Sequence, residues 1–282
     1  MGFGERVVQW IESQARVDEP AEAVAETISK LLPIGPIKDA VSGTWLGHPV
    51  HPLLVALPIG SWVSASVLDL VGDDGDSDAA QRLVGLGVLA ALPTALTGAS
   101  DWSDTSGGAN RIGAVHALLN LGAVGVYGLS WRARRRGAHG AGVGWAVAGG
   151  ALVSASGWLG GHLSYRLGLG VDTTIFQAGP EDWTAAVDET DLAGGRASCG
   201  EVDGVGVLVV RAGGDVRALN TRCTHRGGPL HEGELADGCV TCPWHGSTFR
   251  LEDGSVVRGP AVAPQPVFET RTEGGRVLVR RT

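Results

Sequence analysis

Long apolar stretches separated by short polar connectors occupy the first two thirds of the chain. Residues 52–68, 83–100, 112–131 and 141–161 contain no Asp, Glu, Lys or Arg. A helix that crosses the hydrocarbon core of a bilayer needs ~20 apolar residues, within a range of about 17–25. Four buried helices of a soluble protein are the alternative, but the regular succession and the many small residues favour a membrane domain of four spanning helices.

Two amphipathic helices are predicted ahead of the first apolar segment. The apolar residues that recur at roughly helical spacing near the start of the chain are Val7, Val8, Trp10, Ile11 and Ala15. Residues 19–32 show a second amphipathic pattern, which Pro33 and Pro36 bring to an end. We interpret this region as a pair of interfacial or packing helices without a catalytic role.

The pattern changes beyond about residue 182 to short runs of β-forming residues separated by glycine-rich turns. The predicted strands are 207–210, 216–219, 239–241, 256–257, 267–270 and 276–279. The predicted fold class is therefore a membrane all-α four-helix bundle followed by a small all-β antiparallel domain. The predicted boundaries are 1–47 for the amphipathic helices, 48–171 for the membrane domain and 172–282 for the β domain.

Composition narrows the function classes. The 282-residue chain has a formal net charge of −8, so a nucleic-acid partner has no electrostatic support. Four cysteines are too few for a disulfide scaffold. The N-terminus lacks a basic region followed by a 7–15-residue apolar core, so we expect no cleavable signal peptide.

The basic residues near the span ends predict an orientation for the multi-pass membrane domain in the cell membrane. Four spans place the N-terminus and the β domain on one side of the bilayer. The arginines of the opposite side are Arg82, Arg132, Arg134, Arg135 and Arg136. The side of the β domain has Lys38, Arg111 and Arg166 close to span ends. Basic loops stay cytoplasmic, so we expect the β domain outside the cytoplasm.

Two groups of candidate metal ligands lie in the β region, at Cys223-x-His225 and Cys242-x-x-His245. Each supplies one thiolate and one imidazole, which suits a [2Fe–2S] cluster with two cysteines on one iron and two histidines on the other. A Cys₃His zinc site that adds Cys239 to three of these residues is the alternative. A single C-x-x-C match is far less specific than the whole pattern.

The sequence around these ligands resembles the Rieske [2Fe–2S] family. The resemblance implies a small antiparallel fold in which two loops grip the cluster. It implies that Cys223 and Cys242 bind one iron, and that His225 and His245 bind the other and lie partly exposed at the domain tip. The residues that would surround the cluster are Gly227, Gly228, Pro229, Trp244, Gly246, Ser247 and Phe249.

Departures from the family pattern predict the type of cluster. High-potential relatives have a disulfide between the two loops, and Gly228 and Trp244 stand at those positions. Ser247 matches a hydroxyl donor to a bridging sulfide, whereas Phe249 replaces a tyrosine. With one donor kept and one lost, we expect a low to intermediate potential.

The remaining cysteines and the nearby histidine have ordinary structural interpretations. We expect Cys239 and Cys199 to be small buried apolar residues. His231 lies outside both ligand groups, so we expect it at the surface.

The start of the first span resembles a second family. The run Gly47-His48-Pro49-Val50-His51-Pro52 continues into Leu53–Gly60 as GHPxHPxLVxLPxG. This motif, with further matches such as Asp101-Trp102 and the run 158–162, resembles an uncharacterised bacterial four-helix membrane family over roughly residues 40–170. That resemblance implies a fold and supplies little chemistry.

Four histidines and one acid are expected at the same end of the bundle. They are His48, His51, His116, His162 and Asp101. Ionisable residues in membrane spans are costly and are candidates for function. Three interpretations stay open: haem b held by a histidine pair, His116 with His51 or His162; a quinone pocket in which a histidine takes the proton; or histidines that only cap and hydrogen-bond the helices.

Together these features predict a membrane-anchored Rieske protein that carries single electrons. The donor would be a quinol or haem in the membrane, and the acceptor an unidentified partner protein. Two alternatives are an electron-supplying component of an oxygenase system and a redox sensor. We expect an oxygenase to be a partner, because a mononuclear iron site needs a β-rich catalytic domain of its own.

Overall fold

The computed structural model describes residues 2–195 and 197–282, which divide into two compact units. The helical unit comprises the chain up to Leu32 together with Val50–Leu169. The β unit comprises Pro33–Pro49 together with Gly170–Thr282. The chain therefore leaves the helical unit before the first apolar segment and returns to it at Val50.

Helices account for most of the helical unit. They are α1 (Phe3–Glu12), α2 (Asp18–Leu31), α4 (Val50–Val71), α5 (Ser77–Ser103), α6 (Gly107–Arg135) and α7 (His139–Tyr165), while the short α3 (Pro36–Ser42) lies in the β unit. Helices α4–α7 have 22 to 29 residues and are apolar enough to cross a membrane. Even 22 residues at 1.5 Å each span ~33 Å, about the thickness of a hydrocarbon core. The predicted four-helix membrane domain is confirmed.

Small residues and two aromatic rings fill the interior of the helix bundle. The rings of Trp62 and Tyr127 stack at 4.1 Å with an interplanar angle of 5°. Around them the buried residues are mostly alanine and valine. Large apolar side chains such as Leu53, Leu89 and Leu121 are exposed instead. This distribution suits a bundle in lipid, where small residues pack helices together and large ones meet the acyl chains.

The two N-terminal helices pack on the spanning helices of the same unit. Val8 and Ile11 of α1 are buried against apolar residues of α6 and α7, including Ile112. Arg111 of α6 forms an ion pair with Asp18 of α2 at 2.5 Å and also donates to a main-chain carbonyl at the end of α1. Ala21 and Ala25 of α2 are buried near Trp102 of α5, so both helices bury part of their apolar face on the bundle.

The β unit contains two antiparallel sheets. Its strands are β1 (Thr184–Asp188), β2 (Ser198–Val202), β3 (Val205–Ala212), β4 (Asp215–Asn220), β5 (Glu234–Ala236), β6 (Cys239–Thr241), β7 (Thr248–Arg250), β8 (Val256–Arg258), β9 (Val267–Glu273) and β10 (Arg276–Arg281). One sheet has the order β1-β10-β9-β4-β3-β2, and the other has the order β5-β6-β7-β8. The predicted antiparallel β domain is confirmed.

The six strands predicted from the sequence are all present, and four further strands are not found by the pattern. Strand β3, which lies between β4 and β2, is buried along most of its length, so its continuous apolar run is easy to detect. The missed strands β1, β2, β5 and β7 have few apolar residues or only three positions. These strands form because they pair with neighbouring strands in the sheet, and the sequence of the strand alone does not show that pairing.

The prediction that Cys199 is buried is wrong, because this residue is exposed. It lies on β2, one of the two edge strands of the six-stranded sheet. Burial along β2 alternates between half-buried and exposed positions, and Cys199 falls on the exposed face. A one-residue difference in register exchanges the two faces of a strand, which the sequence around Cys199 does not fix.

Candidate metal centre

The first cysteine-histidine loop of the β unit is closed by its own main chain. The N–H of Cys223 donates to the carbonyl of Gly228 at 2.9 Å, and the N–H of Gly227 donates to the carbonyl of Cys223 at 2.8 Å. Gly227 has φ of 75°, a left-handed conformation that glycine adopts without strain. The loop therefore turns sharply straight after His225.

The second loop repeats this conformation. The N–H of Cys242 donates to the carbonyl of Ser247 at 2.8 Å, and the N–H of Gly246 donates to the carbonyl of Cys242 at 3.1 Å. Gly246 has φ of 74°. Each loop thus runs from a cysteine to a left-handed glycine four residues later. The two ligand groups are structurally equivalent despite their different spacing.

The sulfur of each cysteine accepts hydrogen bonds from the main chain of its own loop. The donors are the N–H groups of His225 and Arg226 for Cys223, and those of Trp244 and His245 for Cys242. Converging N–H groups stabilise negative charge on sulfur. Both loops are therefore built for thiolates, the form in which cysteine binds metal.

The two thiols also contact each other. Cys223 donates a hydrogen bond to Cys242, which, together with the main-chain donors, lowers the pKa of Cys242 to about 6. The same hydrogen bond, followed by burial, raises the pKa of Cys223. The two sulfurs are thus close enough to share a proton, as expected of two ligands to one iron.

The two histidine rings form the other half of the centre. The rings of His225 and His245 lie 5.1 Å apart, centre to centre, and are almost perpendicular. Both side chains are half-buried. Burial, followed by the neighbouring charge of His245, holds the pKa of His225 well below its ordinary value. A neutral imidazole is the metal-binding form.

A third segment, residues 259–265, forms hydrogen bonds with both loops and is called the bracing segment below. The N–H of Ala261 donates to Oγ of Ser247 at 3.0 Å. In the first loop, the hydroxyl of Thr224 donates to the carbonyl of Ala263 at 2.9 Å, and its N–H donates to Oε1 of Gln265 at 3.2 Å. Because Ser247 accepts from Ala261, its own proton remains available to a further acceptor.

Gln265 is a positioning residue that the sequence patterns missed. Its amide Nε2 donates to the carbonyl of Asn220 at 2.6 Å and to that of Arg222 at 2.8 Å. The side chain is 2% exposed. It fixes the strand that leads into the first loop. The only local signal is an amide residue between Pro264 and Pro266.

Gly228 and Trp244 pack together at the positions of the absent disulfide. A Cβ atom on Gly228 would lie 2.6 Å from the sulfur of Cys242 and 3.1 Å from the indole of Trp244. Only glycine leaves room for this approach. Non-covalent packing of the indole replaces a covalent bridge between the loops.

Beneath the loops, Phe249 closes the centre on an apolar layer. It is fully buried in a core that also includes Leu230, Val240 and both ligand cysteines. Pro229 pairs with Arg222 across the first loop as an isolated β-bridge. A low-polarity floor therefore lies under the sulfur side of the centre.

Comparison with known proteins identifies this unit. Residues 182–269 match the family model "Rieske [2Fe-2S] domain". Over 74 residues the chain is 32% identical to the 3-phenylpropionate/cinnamic acid dioxygenase ferredoxin subunit of Escherichia coli (strain K12), an alignment that covers 26% of this chain and 70% of the relative. The chain belongs to the Rieske [2Fe–2S] family. A Rieske domain binds a [2Fe–2S] cluster, so the predicted cofactor is confirmed.

Other relatives match over a smaller share of their length. Human apoptosis-inducing factor 3 is 36% identical over 90 residues, which are 32% of this chain and 15% of that protein. The cytochrome b6-f complex iron-sulfur subunit of Chlorobaculum tepidum is 31% identical over 90 residues, 32% of this chain and 49% of the relative. The chain thus spans less than half of either protein.

The structural and membrane matches complete the comparison. The ferredoxin of carbazole 1,9a-dioxygenase from Nocardioides aromaticivorans IC177 aligns with 36% of this chain and 100% of its own, at 26% identity and a TM-score of 0.34. Residues 47–173 match the family model "Predicted membrane protein (DUF2231)". The predicted fusion of a Rieske domain to an uncharacterised membrane domain is confirmed, and the protein is a membrane protein.

The geometry of the Rieske unit fits a [2Fe–2S] cluster better than zinc. Cys239 pairs across strands with Arg250, and its sulfur lies 3.7 Å from the carbonyl of Asp237. Within 2–195 and 197–282, no group of three or more His, Cys, Asp or Glu side chains converges on one point. A zinc ion needs four such ligands, whereas each iron of a Rieske cluster takes only two.

Segment Pro33–Pro49 packs on the second loop and the bracing segment. The carboxylate of Asp39 accepts from the N–H of Gly259 at 2.9 Å, and the hydroxyl of Thr44 donates to the carbonyl of Ala261 at 3.2 Å. A Cβ atom on Gly246 would lie 2.6 Å from Ile34. Nothing in the sequence linked this segment to the cluster loops.

His231, as predicted, is an exposed residue. Its Nδ1 lies 2.8 Å from the hydroxyl of Thr221. Its Nε2 is 3.9 Å from the carboxylate of Glu232. It therefore has surface partners of its own, away from both ligand groups.

Among the histidines of the helical unit, two hold neighbouring helices together. Nδ1 of His51 donates to the carbonyl of Thr94 at 2.9 Å. Nδ1 of His116 donates to the carbonyl of Ser156 at 2.9 Å, and Asn120 donates to its Nε2 at 3.0 Å. His51 thus ties α4 to α5, and His116 ties α6 to α7.

The other three predicted membrane-site residues have different surroundings. The ring of His162 lies 6.2 Å from that of Trp158, centre to centre. Asp101 is half-buried near the end of α5. His48 is exposed and belongs to the β unit. The histidines of the motif GHPxHP therefore divide between the two units.

Proposed function

We propose that this protein is a membrane-anchored carrier of single electrons between a donor in the membrane and a partner protein. Its [2Fe–2S] cluster would be held by Cys223 and Cys242 on one iron and by His225 and His245 on the other. The observation that supports this most strongly is the pair of equivalent loops, each with one thiol and one imidazole. The main chain of each loop donates to the sulfur, as a thiolate ligand requires.

The chain's own residues set the conditions for electron transfer. The bound cluster supplies one-electron chemistry, and two neutral imidazoles in place of thiolates raise its reduction potential. The N–H groups aimed at the sulfurs favour the reduced state further. The rings of His225 and His245 are half-buried, and we assign the electron path to that edge of the cluster site.

The potential is expected to be low to intermediate for a Rieske centre. Ser247 keeps the hydroxyl that can donate to the cluster, whereas Phe249 has no hydroxyl to offer. The indole of Trp244 on Gly228 replaces the disulfide of high-potential relatives. Rieske potentials span ≈ −150 to +300 mV, and the loss of one donor together with the disulfide favours the lower half of this range.

The membrane donor is expected to be a quinol or a haem, and the cluster domain is expected outside the cytoplasm. The basic residues of α6 support this orientation, since Arg132, Arg135 and Arg136 lie at its far end. Arg134 forms a buried ion pair with Asp69 and is a structural residue. Three arginines next to the span remain, which still favours a cytoplasmic location for that end.

A second candidate function is electron supply to an oxygenase. One relative, of which this chain covers 70%, is a dioxygenase ferredoxin subunit. In that case the donor would be a reductase, the acceptor an oxygenase, and the helical unit only an anchor. The two functions differ in whether a membrane quinol exchanges electrons with the cluster.

The test uses the full chain in liposomes under anaerobic conditions. A short-chain quinol is added to the oxidised protein, and bleaching of the cluster absorption is followed over time. Cys242→Ser provides a cluster-free blank, and Cys239→Ser is the matched control that removes a cysteine outside the loops. Reduction by quinol in the wild type and in Cys239→Ser supports the membrane carrier.

Two other outcomes decide against that function. If only a reduced flavoprotein reductase bleaches the cluster, the oxygenase-type function replaces the membrane carrier. If neither donor reduces a cluster that dithionite does reduce, both electron-transfer functions are wrong.

A further inference from the structure

The helical unit contains an internal repeat that places two histidines at equivalent positions. Val50–Leu54 reads VHPLL and Val115–Leu119 reads VHALL. These segments lie on α4 and α6, the first helices of two successive hairpins. His51 and His116 are the second residue of each. The hairpins α4–α5 and α6–α7 are therefore two copies of one unit.

The contacts of the two histidines repeat as well. Each Nδ1 donates to a main-chain carbonyl on the second helix of its own hairpin, that of Thr94 or of Ser156, at 2.9 Å in both cases. Four residues after each carbonyl stands a glycine. A Cβ atom on Gly98 would lie 2.6 Å from the ring of His51.

The corresponding Cβ atom on Gly160 would lie 3.1 Å from the ring of His116. Each ring is thus held by a carbonyl and packed on a glycine of the neighbouring helix. Two independent capping histidines would have no reason to share both features.

A second pair of residues, Trp62 and Tyr127, also occupies equivalent positions in the two hairpins. Trp62 lies eleven residues after His51, and Tyr127 lies eleven residues after His116. Trp62 packs on Gly87 and Tyr127 packs on Gly149. The two aromatic rings stack on each other at 4.1 Å.

Equivalent residues of the two hairpins therefore meet at the centre of the bundle, around an approximate two-fold axis. Asp69 and Arg134, which form a buried ion pair, are 65 residues apart, the same separation as the two histidines. Eleven residues correspond to about three helical turns. His51 and His116 thus lie at one common depth on opposite sides of this axis.

The chemistry of the pair suits an iron porphyrin. A histidine that ligates metal usually donates its other ring N–H to a carbonyl or carboxylate, as both Nδ1 atoms do here. Nε2 is then the atom of each ring that can ligate a metal, although Nε2 of His116 accepts a hydrogen bond from Asn120 in this structure. No third His, Cys, Asp or Glu converges with them in the described part of the chain, so a bare metal ion would lack protein ligands. A porphyrin brings four nitrogens of its own.

We propose that His51 and His116 are the two axial ligands of a haem in the helical unit. In the structure Asn120 donates to Nε2 of His116 at 3.0 Å, and its amide is displaced when haem binds. This inference rests on the proposed function, because it names the membrane redox group that exchanges electrons with the cluster. Both rings are half-buried, so part of each ring surface is accessible to a ligand.

The test is the reduced-minus-oxidised absorption spectrum of the full chain, produced in cells supplied with a haem precursor and purified in detergent. The wild type is expected to show a Soret band and sharp bands of a low-spin haem. In His51→Gly and in His116→Gly, the absorbance of these bands per mole of protein is expected to fall at least tenfold. His162→Ala and His139→Ala are matched controls that remove histidines of the same unit, and they are expected to keep them.

Two further measurements separate ligation from folding. Added imidazole is expected to restore the low-spin bands in His51→Gly, which a histidine with only a structural role would not allow. The EPR signal of the reduced cluster reports whether the Rieske domain is intact. Absence of haem from the wild type, or haem retained in the double glycine variant, overturns the proposal. If quinol reduces the cluster while no haem band appears, the proposed electron transfer stands and the haem proposal is wrong.

Discussion

The β unit holds its candidate ligands with main-chain donors, whereas the helical unit holds its candidate ligands with main-chain acceptors. N–H groups point at the sulfurs of Cys223 and Cys242 and favour their anionic form. Carbonyl groups of Thr94 and Ser156 bind Nδ1 of His51 and His116 and keep the proton on that atom. Two equivalent segments thus favour thiolates in one unit and, in the other, imidazoles whose proton is on Nδ1.

The comparison also shows why one site is easier to predict from sequence than the other. The ligands of the cluster lie within two short loops that fold on their own main chain. The histidines of the helical unit depend on carbonyls and glycines that come from other helices. Contiguous motifs can be read directly, and contacts between distant segments cannot.

Removing the cluster is expected to have the largest effect, and only on the β unit. Metal binding contributes to folding stability because ligands come together only in the folded state. In Cys242→Ser we expect proteolysis within 170–282 to be about tenfold faster or more, which corresponds to ~1.4 kcal/mol or more. The helical circular dichroism in detergent is expected to stay unchanged.

The control for that experiment is Cys239→Ser, which should leave proteolysis as in the wild type. Equal loss of structure in both units would mean that they do not respond separately to the cluster.

Next in size is the buried ion pair of the helical unit. Arg134 and Asp69 lie 2.6 Å apart with side chains 1% and 4% exposed. Asp69→Asn leaves the guanidinium without its countercharge, which costs ~3–5 kcal/mol for a buried pair. We expect thermal unfolding of the helices, followed by circular dichroism, at a clearly lower temperature.

The exposed pair Asp215 and Arg217 of the β unit supplies the matched comparison. Exposed pairs contribute ~0–1 kcal/mol, so Asp215→Asn is expected to be almost neutral. A combined Asp69→Leu and Arg134→Met variant should recover most of the stability that Asp69→Asn loses. If the double variant does not recover this stability, the charges of Asp69 and Arg134 have a role besides their mutual ion pair.

The smallest expected effect concerns the potential of the cluster. Ser247→Ala removes a hydroxyl beside the second loop and is expected to lower the potential. Phe249→Tyr places a hydroxyl at the position where relatives have one and is expected to raise it. A hydrogen bond of ~1 kcal/mol corresponds to roughly 40 mV for one electron, given 59 mV for each tenfold change.

Protein-film voltammetry of both variants and the wild type measures these shifts. A wild-type value near the top of the Rieske range would contradict the prediction of a low to intermediate potential. Shifts of the same sign in Ser247→Ala and Phe249→Tyr would show that hydroxyl donation does not set it.

Much of the architecture follows from the sequence because its signals are local. Uncharged segments of membrane length predicted α4–α7, and the strongly apolar run of β3 predicted a buried strand of the larger sheet. The exposed position of Cys199 did not follow, since strand register depends on partners far along the chain. Short strands such as β5 and β7 were missed for the same reason.

Around the cluster, the ligands could be predicted from the sequence, whereas the residues that support the loops could not. The residues Cys223, His225, Cys242 and His245 stand out from spacing alone. The brace formed by Gln265 depends on contacts with residues 41 to 45 positions earlier in the chain. The contact of Ile34 with Gly246 and that of Asp39 with Gly259 join segments more than 200 residues apart. The repeat of VHPLL as VHALL was present in the sequence, but its meaning needed the contacts of both histidines.

Pulsed EPR of the reduced full-length protein tests the central claim most directly, because it detects nitrogen nuclei bound to the cluster iron. The proposed ligands predict couplings from two imidazole nitrogens in the wild type and in His231→Ala. They predict loss of the Rieske signal in His225→Ala and in His245→Ala. A cluster with no imidazole coupling, or one that persists in either ligand variant, would contradict the assignment.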